Sequence, residues 1–274
     1  MAGLSRDGRL AACLLALIGF TPMSSAQALP SKTAPNPAPA HFVACSLPLA
    51  PHTMPDARGK PSGHATEILQ AVALRLGWAL DIRYMPWVRV VDQAKRGDCD
   101  LVYTVLKRAD YETFLVFPQE PVQMRANVLV VLKGRGIQYD GNLEAFMRQH
   151  SVGLYRDKAV DERFEVLRRA PWAHVDEASD ARLNLMKLLA GRFDAAIENE
   201  MTAVHELREL GHLDDVVLLA PPLNRTLAYV AFPKAGRLAG QSGDFDRAMK
   251  AFKQTQDYRE LWDAYVRGMP TRYR

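Results

Sequence analysis

The sequence predicts an α/β fold of two domains, two parallel or mixed sheets flanked by helices with a cleft between them. Three observations predict it. Stretches of strand length alternate with stretches of helical period along most of the chain. The alternation runs twice, with a break at Lys133-Gly134. Two apolar strands, over 126–132 and 227–232, stand where one run passes into the other.

The elements follow in order. His41–Cys45 is a short apolar strand, and residues 47–61, with four prolines and a glycine, form a loop. Ile68, Leu69, Val72, Ala73 and Leu76 recur at helical spacing within 65–76, and Gly77 ends that helix. Leu80–Tyr84 alternates as a strand, Trp87–Lys95 is a helix stopped at Gly97, and Asp100–Val105 is a buried strand. This β-α-β-α-β order implies parallel strands with helices on the faces.

The second run has helices over 143–149, 158–169, 181–190 and 201–210. Its strands lie over 151–155, just after 171–175, over 195–198 and over 216–219. Terminal helices follow over 244–256 and 259–266. With two crossover strands, the middle run is inserted into the first. Domain one is therefore 41–132 plus 223–274, and domain two is 133–222. Small ligands of open α/β sheets bind at the C-terminal ends of the strands, so the cleft is the expected site.

The first forty residues read as export and tether. Arg6 and Arg9 precede an apolar run over 10–20, and Ser24-Ser25-Ala26-Gln27-Ala28 supplies small residues for cleavage after Ala28. The apolar run is too short to span a bilayer comfortably, so residues 1–28 are expected to be a cleaved signal peptide and the mature protein is expected in the periplasm. Leu10-Ala11-Ala12-Cys13 spells a lipobox, but it precedes the apolar run instead of following it. Residues 29–40, rich in Pro and Ala, form an extended linker.

The net charge of +4 is spread along the chain with no long run of one sign, which argues against a nucleic-acid partner. A monomer is expected. The mature chain keeps two cysteines, Cys45 and Cys99, in an oxidising compartment. A disulfide and two buried thiols are both open. No histidine pair has metal-ligand spacing, and no nucleophile elbow, phosphate loop or zinc motif is present, so neither a metal, a cofactor nor an enzyme is expected.

Several motifs in order resemble bacterial family 3 of the solute-binding proteins, the type II periplasmic binding proteins of amino-acid-type ABC importers. They are Pro51…Gly59-Lys60…Gly63 before Glu67-Ile68-Leu69, then Leu76-Gly77, and Pro86-Trp87-Val88-Arg89 with Gly97-Asp98-Cys99-Asp100-Leu101. Phe114-Leu115-Val116-Phe117 with Pro121 and Gly191-Arg192-Phe193-Asp194-Ala195-Ala196 complete the set. The resemblance covers about residues 41 to 268. It implies capture of a small polar or anionic molecule, amino-acid-like or an organic acid, by hinge closure, with an ABC permease as partner.

The resemblance also locates ligand positions, and three depart from the family pattern. His52 stands at the usual aromatic position of the first loop. Tyr111 stands where an Arg forks onto the α-carboxylate, with Arg108 nearby as a substitute. Asn199, between Glu198 and Glu200, stands at the Asp that takes the α-ammonium. The ligand is therefore expected to differ from an ordinary α-amino acid.

Position relative to the cleft adds Trp87 and Arg89 at a helix start, Tyr103 and Thr104 at a strand end, and Tyr155 and Arg156 where a second-domain strand meets a helix. Ligand docks on the Trp87 and Tyr103-Thr104 wall, and Tyr155, Arg156 and Asn199 close over it. Two rivals stand beside this reading. Dehydratases acting on arogenate or prephenate share the fold, and Glu67, Glu198 or Glu200 would be the acid. Relatives associated with quinoprotein dehydrogenases carry cysteines placed as Cys45 and Cys99 are, which would suit a periplasmic sensor or redox accessory.

Overall fold

The computed structural model describes residues 40–266 except 157 and 159. The expected signal peptide (1–28) and all but residue 40 of the expected linker lie outside the described residues. The first run contains β1 (Ala40–Ser46), β2 (Met54–Pro55), β3 (Pro61–Ser62), α1 (His64–Arg75), β4 (Trp78–Tyr84), α2 (Trp87–Arg96) and β5 (Leu101–Leu106). Then come α3 (Ala109–Glu112), β6 (Leu115–Val116) and the long strand β7 (Gln123–Leu132). The middle run is α4 (Leu143–Gln149), β8 (Val152–Tyr155), α5 (Glu162–Leu167), β9 (Val175–Ala178), α6 (Ala181–Leu189), β10 (Ala195–Asn199), α7 (Glu200–Glu209) and β11 (Val216–Leu218). The second long strand β12 (Asn224–Pro233) precedes α8 (Ser242–Lys253) and α9 (Gln256–Val266).

The expectation of two separate sheets needs correction. The strands form one ten-stranded sheet, with the path β4-β1-β5-β12-β7-β10-β8-β9. The cause is the length of β7 and β12. Their polar ends, 123–127 and 224–228, pair antiparallel with each other. Beyond that stretch each strand changes partner: β12 pairs with β5 over 228–231, and β7 with β10 over 127–131. The ladder therefore passes through both crossover strands without a break.

Packing follows the period-two alternation of the strands. On one face of the first half, Leu101, Tyr103, Val230 and Phe232 meet Ile68, Leu69 and Val72 of α1 and Phe245, Met249 and Phe252 of α8. On the other face, Cys45, Val102 and Val105 meet Val90 and Ala94 of α2. In the second half, Leu129 and Val131 face α4 and α5, while Val128 and Val130 face α6 and α7. The Sγ atoms of Cys45 and Cys99 lie 2.00 Å apart, at disulfide distance, with a Cα separation of 6.0 Å.

Helix α5 is shorter than its apolar pattern predicts. The Asp161 carboxylate accepts the Phe164 N–H at 2.8 Å and caps the helix there. Lys158, predicted inside that helix, instead turns into the protein. Helices α8 and α9 each begin earlier than predicted, at Ser242 and Gln256.

Candidate functional site

The C-terminal end of β5 faces those of β8 and β10. Three antiparallel pairings, β5 with β12, β12 with β7 and β7 with β10, reverse the strand direction between the two halves. Strand C-terminal ends are where open α/β sheets bind ligands. A cavity of about 130 Å³ lies there, bordered by Thr104 of β5, Tyr155 of β8, Asn199 of β10, Arg125 and Asn127 of β7, and Thr226 of β12. Trp87 and Tyr111 close one side. A larger groove of about 1410 Å³ adjoins it, and Leu106, Arg108, Lys158 and Thr226 border both.

The charged side chains bordering the inner cavity are Arg108, Arg125 and Lys158, all cations; among the described residues no Asp or Glu lines it. Two of the three are neutralised. Arg108 holds Asp110 in a forked pair, Nε to Oδ1 at 3.0 Å and Nη2 to Oδ2 at 3.1 Å. The Lys158 ammonium lies 3.3 Å from Glu198 Oε2, both side chains nearly inaccessible to solvent. Asn184 donates to the other Glu198 oxygen at 2.8 Å.

Arg125 differs. Its Nε and Nη2 are sealed from solvent and have no hydrogen-bond partner among the described residues. Burial without a counter-charge lowers its pKa to about 10. A cation taken out of water and left unpaired is costly unless something anionic completes it.

Behind Arg125 lie two wholly buried histidines. His52 Nε2 sits 3.1 Å from Asn199 Oδ1, and that oxygen also accepts the Thr202 N–H at 3.2 Å to cap α7. The oxygen is thus the acceptor, and His52 Nε2 carries the proton. His64 Nδ1 lies 3.4 Å from Gln123 Oε1, and its ring stands edge-on to Trp262 and Tyr265. Burial, and next the nearby Arg125 charge, hold His52 well below the usual imidazole range. Burial lowers His64 to about 4. Gly63, at φ 106°, lets α1 approach this loop: a Cβ there would lie 2.6 Å from the His52 carbonyl oxygen.

Among the positions expected from sequence, Trp87, Thr104, Arg108, Tyr111, Tyr155 and Asn199 border the cavity. Trp87 Nε1 donates to the Tyr111 hydroxyl at 2.7 Å. Thr104 has φ 62°, rare for a β-branched residue, beside a register shift between Tyr229 and Val230 of β12. His52 lies behind Asn199 and not on the cavity wall. Three positions lie elsewhere. Tyr103 points to the opposite face of β5 from the cavity, its hydroxyl 3.1 Å from Thr66 Oγ1, because successive strand residues face opposite ways. Arg89 is exposed, since the face of α2 carrying Trp87, Val90 and Ala94 is the buried one. Arg156 borders the outer groove only and approaches Glu177 at 3.9 Å.

The sequence reading missed Arg125, Asn127, Lys158 and Thr226. For Arg125 a signal exists: Gln123, Arg125 and Asn127 stand at i, i+2 and i+4, one polar face of a strand.

The model of the bacterial extracellular solute-binding proteins, family 3, matches residues 42–268. This chain belongs to that family. No curated protein sequence matches it. Solved structures match over most of its length. One is a histidine kinase sensor domain with similarity to periplasmic binding proteins, at 18% identity and TM-score 0.68 over 83% of this chain and 96% of that one. The substrate-binding protein of an amino acid ABC transporter matches at 19% identity and TM-score 0.65, over 83% of this chain and 100% of that one. The arginine-, lysine-, histidine-binding protein ArtJ from Geobacillus stearothermophilus matches at 17% and 0.66, over 85% and 96%. At these identities the likeness is one of fold. In this family 3 chain, the Arg125 guanidinium comes from a crossover strand.

Proposed function

We propose that this family 3 protein is exported to the periplasm, captures a small polar or anionic solute in the cavity, and delivers it to an ABC permease. Domain one (41–132 with 223–274) and domain two (133–222) close on the ligand, with β7 and β12 absorbing the motion. The observation that carries this reading is the Arg125 guanidinium, buried at the cavity with two nitrogens unpartnered. An anion that docks there replaces a costly unpaired charge with charge-assisted hydrogen bonds. Closure is supported by hydrogen bonds between the halves. His52 meets Asn199, and Thr202 Oγ1 donates to the Ala50 carbonyl at 2.8 Å.

Acid catalysis on the same fold would need a carboxylic acid at the cavity. None of Glu67, Glu198 and Glu200 borders the cavity. Glu198 is held by Lys158 and Asn184, and Glu67 accepts from Ser62 Oγ and Tyr265 OH. Binding is therefore favoured over dehydration chemistry. The test is mass spectrometry of small molecules released from the purified protein, followed by a thermal-shift screen of amino acids, organic acids and polyamines. A molecule recovered unchanged that raises the melting temperature supports solute capture. Conversion of arogenate, prephenate or another candidate to product overturns it.

A further inference from the structure

Resting on that reading of the cavity, we propose that the solute is a small monocarboxylate without an ammonium group, a 2-hydroxy or 2-oxo acid of roughly three or four carbons.

Charge comes first. Of the three cations at the cavity, Arg108 is paired with Asp110 and Lys158 with Glu198. Among the described residues, Arg125 alone of the three has no carboxylate partner, and its Nε and Nη2 are buried without an acceptor, so the described groups leave one positive charge in excess. One carboxylate balances it, and a dianion would leave its second charge buried and uncompensated.

The second argument is the absence of a seat for an ammonium. Among the described residues, no carboxylate borders the cavity. Asn199 Oδ1 already accepts from His52 and from the Thr202 N–H. Glu198 has both oxygens engaged, at zero side-chain exposure. Among the described residues, an amino acid would find no anionic partner there for its ammonium.

The neutral groups suit oxygen. The Tyr111 hydroxyl accepts from Trp87 Nε1, so its own proton remains available to a ligand oxygen. Ser46 Oγ donates to the Tyr103 carbonyl, so the Thr104 hydroxyl 3.0 Å away gives its proton to Ser46. Thr104 Oγ1 then offers lone pairs to a ligand hydroxyl. Size concerns the inner cavity, which opens toward the larger groove. At about 130 Å³ the cavity is close to the roughly 150 Å³ that accommodates benzene, about the bulk of lactate or pyruvate.

The test is isothermal titration of ligand-stripped protein with L-lactate, pyruvate, L-alanine and succinate, alongside Arg125→Met. Lactate or pyruvate should bind at least about 100-fold more tightly than alanine, and more tightly than succinate. Arg125→Met should weaken the acid by about 100-fold or more, and circular dichroism should remain unchanged. Tighter binding of alanine or a larger amino acid overturns the ligand class while leaving solute capture standing, and tightest binding of succinate overturns the single-charge argument. Binding of neither acid also overturns the class. If, in addition, no small molecule is recovered from the purified protein and no compound in the wider screen shifts its melting temperature, solute capture falls with it.

Discussion

His52 Nε2 and Asn199 Oδ1 meet at 3.1 Å in a contact closed to water, joining the loop after β1 to the first turn of α7. The ring is neutral there, since burial, and next the Arg125 charge, oppose its protonation.

That neutrality makes stability depend on pH. The folded pKa values of His52 and His64 are depressed, while the unfolded chain titrates near 6.5. The unfolded state therefore binds more protons below 6.5, and stability falls as pH drops from 6.5 toward 4. For His64 alone the loss approaches roughly 3 kcal/mol at the bottom of that window. Asp100, lowered by its hydrogen bonds to Arg237 and Val43 despite burial, adds a further loss only below the usual carboxylate range. Urea unfolding between pH 7.5 and 4.5 measures the slope. His64→Gln should flatten it, and an unchanged slope would show that His64 is not buried neutral in solution.

The Lys158–Glu198 pair gives a second prediction. Lys158→Met leaves a buried carboxylate with only Asn184 to hold it and should cost about 3–5 kcal/mol. Lys158→Met/Glu198→Gln removes both charges and should recover most of that loss. Chemical denaturation of the two single variants and the double variant measures the coupling. Additive losses would mean that the two side chains do not interact.

The sequence makes much of this fold legible. The apolar run of β7, the helical period of α1 and the stops at Gly77 and Gly97 stand where local pattern places them. The continuity of the sheet does not show. It depends on 123–127 pairing with 224–228, stretches whose polar residues mask strand character. The cavity shows where function coincides with an element end, as at Tyr155 and Asn199. Lys158 is hidden because its partner stands 40 positions away in the chain. Tyr103 and Thr104, adjacent at a strand end, both look aimed at the cleft, and only the faces of β5 separate them.

Cys45 and Cys99 are 54 positions apart, so a bond between them closes a long loop in the unfolded chain. The purified protein should resist alkylation at both residues until reduced. Cys45→Ala/Cys99→Ala should lose about 2–4 kcal/mol of stability. Labelling of unreduced protein after unfolding would show that the thiols are free.

Thr104 has a backbone conformation that its branched side chain disfavours, at φ 62°. Its hydroxyl is tied to Ser46 at 3.0 Å, and it stands on the cavity wall. Strain of this kind persists where surrounding structure holds it, and functional sites are where it gathers. Thr104→Ala and Thr104→Gly both lose the hydroxyl, so they differ mainly in the Cβ. In extended or helical backbone alanine is the more stable of the two. At positive φ the order reverses, because glycine adopts the conformation without steric cost. Thr104→Gly should therefore be more stable than Thr104→Ala by about 1 kcal/mol, as read from thermal or urea unfolding of ligand-free protein. Both variants should bind lactate more weakly than the parent, since both lack the oxygen that meets the ligand hydroxyl. If alanine proves the more stable, residue 104 is not left-handed in solution, and the cavity wall is formed by a different backbone.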